Sequence, residues 1–353
     1  LIALLFLAPV AWAGELEEET GWTGLRINAE SYLEGYLSWE ELSGGDFSAG
    51  LTSVARAGTN QLPGELRRAG QRGLMLLAVA LLCGVTATLR RKEGTLDPVR
   101  LAGAVAVAAM AVADVHSLMG LGRETLGRML DFARLLLPVV TASCAAAGAP
   151  ASAAVRQGAV LLFLQLLLEL MERLILPLTF AWVAASTASA ALGNPGLQRA
   201  AALLKRAATA MLTLLLSGFV LCLTVTGAVA GNADALTQKA AKTALSGLVP
   251  VVGGILSDAA ETVAAGAGVL KSTVGVAGLL VVLCICLLPF LRLGCHYLIY
   301  KLTAALADTL TAGPVAGLLD AMGSAFALLL GAVAGGGLIL YVALITSLQA
   351  VGT

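Results

Sequence analysis

The sequence predicts an all-α fold, a polytopic helical membrane protein of about seven to eight transmembrane helices behind an N-terminal signal peptide. Three observations predict it. Of its 353 residues, 58% are hydrophobic, and the mean hydropathy is +0.90. Only 12% are charged, whereas soluble domains run near roughly 45–50% apolar and 25% charged. The apolar residues also fall in runs of membrane length. The formal net charge is zero, with 22 basic and 22 acidic residues, so no global field points to nucleic acid or an acidic substrate.

Leu1 to Pro9 is a short apolar run that ends in Ala11-Trp12-Ala13 before Gly14. That is the form of a signal-peptide core followed by an A-x-A cleavage site, with its start truncated, and a retained short anchor is the alternative. Residues 14–70 are the long polar stretch. Glu15, Glu17, Glu18 and Glu19 open it, and Leu33, Tyr36, Leu37 and Trp39 recur near helical spacing. It reads as an extracytoplasmic amphipathic segment lying on a membrane or a partner.

The remainder, 71–353, reads as the transmembrane domain. A bilayer core needs about 20 apolar residues per helix, and such runs lie near 73–89, 98–119, 207–230, 273–293 and 322–349. The stretch 134–192 holds two or three more, interrupted by Pro150, Arg156, Glu169, Glu172 and Arg173. Three passes there, with the N-terminus outside, put Arg90, Arg91 and Lys92, then Arg199, Lys205 and Arg206, then Lys301 on the cytoplasmic side. That agrees with the tendency of inner loops to collect cations.

Gly-Ala-Val-Ala-Gly occurs twice, at Gly227–Gly231 and Gly331–Gly335. Each is a small-xxx-small surface for close helix packing, within one bundle or between copies. Glu169 and Arg173 stand four apart and can pair along one helix face, as a structural pair at a helix junction or as part of an ion pathway. Asp114 and His116 are two apart, which puts them on different faces. His296 lies beside Cys295, Tyr297 and Tyr300 in an aromatic setting.

The six cysteines lie in or beside apolar runs without metal-ligand spacing. With two histidines in the chain, neither a metal, a cofactor nor a catalytic site is expected. The segment 245–265 reads as helix, break, helix. Pro250, Gly253 and Gly254 interrupt it, and Asp258 with Glu261 offers a cap for the second half. It is either an element re-entering the membrane where protein or water buries the break, or an extracytoplasmic hairpin.

Val249-Pro250-Val251-Val252-Gly253-Gly254 with Leu256-Ser257-Asp258 resembles the signature of the stage III sporulation protein AE family. Ile175-Leu176-Pro177-Leu178, Lys239 to Thr243, Tyr300-Lys301-Leu302 and Asp320-Ala321-Met322-Gly323 resemble it too, in the family's order from about residue 60 onward. The resemblance implies a membrane subunit of the secretion-related channel that joins mother cell and forespore in endospore formers. It implies residence in the mother-cell membrane around the forespore, beside other mother-cell channel proteins and a cytoplasmic secretion-type ATPase, with a forespore docking protein met indirectly. It gives no single residue a catalytic or ligand-binding role. The residues themselves leave a second reading open, a small-solute permease with a re-entrant segment around Pro250.

Overall fold

The computed structural model describes residues 32–33, 47–89, 98–146, 162–163, 165–192, 194–225, 273–311 and 314–349. The expected signal peptide, the segment 245–265 with Pro250, Gly253, Gly254, Asp258 and Glu261, and Gly227 and Gly231 lie outside the described residues. Within them there is no strand. The elements are α1 (Phe47–Leu89), α2 (Pro98–Ala146), a π-helical turn (Met171–Ile175) running into α3 (Leu176–Leu192), α4 (Pro195–Val225), α5 (Thr273–Thr311) and α6 (Pro314–Gln349).

The protein is a helical membrane protein. Four stretches among the described residues are long and apolar enough to cross a bilayer: Val105–Leu136, Pro195–Phe219, Val276–Thr309 and Val315–Ile345. The helices are longer than their apolar runs. The expected run 98–119 sits in a helix of 49 residues, and 273–293 in one of 39 that passes through Pro289. Helix α1 passes residue 70 without a break and spans 43 residues, about 65 Å at 1.5 Å per residue. Hydropathy reports what side chains meet, whereas helix continuity follows backbone hydrogen bonding, so the two need not end together.

Helix α6 forms the centre, packed against α2, α3, α4 and α5. Leu319, Phe326, Leu329, Val333 and Leu340 are among its buried residues. Glycines set the register of its neighbours by admitting side chains where a Cβ would stand. Gly278 lies against Leu344, Gly337 against Cys286 and Gly323 against Lys301, so α5 runs antiparallel to α6. Gly50 lies against Leu280, Gly58 against Leu287 and Leu291, and Gly73 against Ile299 and Thr303, so α1 runs parallel to α5.

This register places 50–58 of α1 beside the apolar 280–291 of α5, while its own apolar run, 73–89, begins at the level of Ile299–Thr303. Ahead of α1, Tyr32 and Leu33 are seated on the bundle. Leu33 is buried beside Val54, Gly58 and Ile285. The Tyr32 ring meets Phe132 edge-on at 5.4 Å, and its carbonyl accepts a hydrogen bond from Arg128 Nη2 at 3.3 Å. Burial, reinforced by the Asp131 carboxylate and opposed by Arg128, raises the Tyr32 phenol above its ordinary pKa.

Candidate functional site

A polar layer crosses the bundle where α1, α2, α5 and α6 meet. Arg292, His296 and Tyr300 recur every four residues and so share one face of α5. Tyr300 Oη donates to Asp114 Oδ2 at 2.7 Å, and both residues are buried. Arg72 Nε stands 3.7 Å from Asp114 Oδ1. The carboxylate thus has a hydroxyl donor from α5 and a cation from α1, which offsets the cost of removing it from water.

One residue along α5, Lys301 Nζ donates to Asp320 Oδ1 at 2.6 Å and to Ser324 Oγ at 2.9 Å, tying α5 to α6. Gly323 permits this, because a Cβ there would meet the Lys301 stem at 3.2 Å. Just over two turns toward the N-terminus of α5, Arg292 Nε lies 3.7 Å from Glu65 Oε2. Glu65 Oε1 also takes Arg68 Nη1 at 2.8 Å. His296 Nδ1 is 2.9 Å from the Arg292 carbonyl oxygen, and the His296 and Tyr300 rings both meet Phe326 edge-on.

Of the expected site residues, Glu169 and Arg173 are brought together, with Arg173 Nη2 2.8 Å from Glu169 Oε1. They stand on the outer surface, Arg173 being 76% exposed in its side chain. The π-helical turn begins two residues after Glu169 and buries Met171 and Ile175. Glu172 within it faces Arg123 Nε of α2 at 3.3 Å. A π turn widens the spacing locally, and an i, i+4 reading of the sequence does not reveal it.

Gly331 and Gly335 face α4: their Cβ positions would meet Leu212 Cδ2 at 3.4 Å and Leu216 Cδ2 at 2.8 Å. This repeat is used within the chain, with α4 parallel to α6. Asp114 and His116 part company. Asp114 is buried, and His116 is exposed with its ring edge-on to Phe180 at 6.4 Å. Among the described residues no three His, Cys, Asp or Glu side chains are grouped to hold a metal. The polar layer braces helices against one another; reading the sequence for chemistry missed Glu65, Arg72 and Asp320 in it.

A family model for stage III sporulation protein AE matches residues 36–351, which takes in every helix described above. The chain belongs to that family. Stage III sporulation protein AE of Bacillus subtilis (strain 168) is similar to it, 30% identical over 211 residues. The match covers 60% of this chain and 53% of the relative, so it spans about half the relative's length. No solved structure matches the chain. Family membership gives the chain a role in sporulation, and the apolar bundle gives that role a membrane setting.

Proposed function

We propose that this chain is a non-enzymatic integral membrane subunit of the channel that connects mother cell and forespore and is required for spore development. It occupies the mother-cell membrane surrounding the forespore, with its N-terminal segment outside the cytoplasm. Its partners are the other mother-cell membrane proteins of the channel and a cytoplasmic secretion-type ATPase, with a forespore docking protein met indirectly. The lipid bilayer is its solvent, and it needs no cofactor.

The observation that carries this reading is a family match over nearly the whole chain, 36–351. The structure supports it in kind. The polar groups of the layer at Asp114 and Tyr300 are engaged with one another and brace helices, as a platform subunit requires. A fluorescent fusion in sporulating cells tests the placement. The fusion is expected to collect on the membrane that engulfs the forespore, and deletion is expected to stop development after engulfment. Even distribution in vegetative membranes with normal spores from the deletion strain contradicts it.

A further inference from the structure

The bundle exposes surfaces of opposite character at a single level. Leu212 and Leu216 of α4 lie against Gly331 and Gly335 of α6. Gly337, two residues on, lies against Cys286 of α5. Leu287 and Leu291 of α5 lie in turn against Gly58 of α1. At this level the outer face of α4 is apolar, with Leu214 68% and Leu221 64% exposed. The outer face of α1 at this level carries Thr52, Arg56, Thr59 and Asn60, all exposed. Beyond it Leu62 and Leu66 are exposed, and Arg67, Arg68 and Gln71 stand level with the exposed Lys205 and Arg206 of α4.

The two helices stand on different sides of the bundle. Helix α1 packs on α2 and α5, whereas α4 packs chiefly on α3 and also on α6. Leu214 and Leu221 suit hydrocarbon. An arginine held at the same depth in lipid costs several kcal/mol. Arg56 has no acidic side chain within ion-pair distance among the described residues.

The backbone of α1 gives a second, independent argument. Pro63 lies inside the helix, on the exposed side. It has no N–H, so the carbonyl of Thr59, four residues earlier, loses its intrahelical donor. The side chains placed to donate to that carbonyl, three and four residues on, are Leu62 and Pro63, which carry no donor. Water supplies such a donor; hydrocarbon does not.

We infer that the outer face of α1 from Thr52 to Asn60 lines a water-filled passage at membrane depth, with Arg56 making its wall cationic, while the outer face of α4 at that level meets lipid. The inference rests on the membrane-subunit reading and assigns this chain a stretch of passage wall that favours anionic solutes.

Reactivity of single cysteines tests it, in vesicles of both orientations from sporulating cells and in a chain freed of its six native cysteines that still supports sporulation. The probes are membrane-impermeant methanethiosulfonates, one anionic and one cationic. Thr52→Cys, Thr59→Cys and Asn60→Cys are expected to react and Val54→Cys to be protected, giving a helical period. The anionic reagent is expected to react about tenfold faster, a typical scale for electrostatic enrichment, and Arg56→Gln to abolish that preference. Leu214→Cys and Leu221→Cys are expected to stay unreactive. Protection of all three α1 positions alongside Leu214→Cys overturns the passage wall and leaves the membrane frame standing. Reaction at Leu214→Cys and Leu221→Cys as well puts this level outside the membrane and removes the frame with it.

Discussion

Tyr300 and Asp114, separated by 186 residues in the chain, meet through a 2.7 Å hydrogen bond inside the bundle. Tyr300→Phe removes the donor and keeps the ring on Phe326. It is expected to cost about 1.5–3 kcal/mol, the scale for a hydrogen bond to a charged group. Asp114→Ala leaves the Tyr300 hydroxyl buried without its acceptor and is expected to cost about 1–3 kcal/mol. Denaturant unfolding of the detergent-solubilised protein measures both, and a double-mutant cycle isolates their coupling. Simple additivity of the two losses contradicts the bond.

Gly335 meets Leu216 closely enough that a Cβ would stand 2.8 Å from Leu216 Cδ2. Because that atom is the end of a flexible side chain, Gly335→Ala is expected to be tolerated. Gly335→Leu overfills the contact and is expected to cost about 1–3 kcal/mol. Leu216→Ala added to Gly335→Leu recovers part of the loss. Failure of that second substitution to recover any stability shows that Gly335 does not face α4.

The parallel register of α1 and α5 predicts which cysteines can join. Gly73 stands against Ile299 and Thr303, so Gly73→Cys with Thr303→Cys is expected to form a disulfide under mild oxidation in membranes. Gly73→Cys with Leu287→Cys is not. Leu287 faces Gly58, about 22 Å along α1 at 1.5 Å per residue, far beyond the reach of a disulfide. Mobility on non-reducing gels reads the result, and reversed pairing refutes the register.

Glu65 and Arg292 approach at 3.7 Å, with Glu65 Oε2 and Arg292 Nε both buried and without a hydrogen bond inside 3.5 Å. Glu65→Met strands the guanidinium and is expected to cost about 1–3 kcal/mol. The double variant Glu65→Met, Arg292→Met is expected to regain most of that, because replacing a poorly solvated ion pair by apolar groups is often neutral or better. Unfolding midpoints of the three proteins decide the matter. A double variant less stable than Glu65→Met removes the argument.

The helices and their apolar cores were readable because the runs around 276–291 and 324–345 are long and nearly free of charge. The spacings Gly331–Gly335 and Glu169–Arg173 are local and stand in the sequence, whereas the helix that Gly331 and Gly335 face, α4, is a tertiary matter no spacing states. Asp114 was visible as a costly residue, yet its partner Tyr300 was not, because a tertiary contact across 186 residues leaves no local period. The length of α1 was also hidden. Its first half, with Arg56, Asn60, Pro63 and Gly64, carries no apolar run and contains a helix breaker, and it is held by packing on α5. The motif around Pro250 gave the resemblance to the family, although it lies outside the described residues.

Membership of the channel is tested by affinity purification of the tagged full chain from membranes of sporulating cells, with quantitative mass spectrometry of what comes with it. The other mother-cell channel proteins and the secretion-type ATPase are expected to be recovered together, and to be lost from a control tagged on an unrelated membrane protein. Recovery of a functional, membrane-embedded chain without any of them would contradict membership.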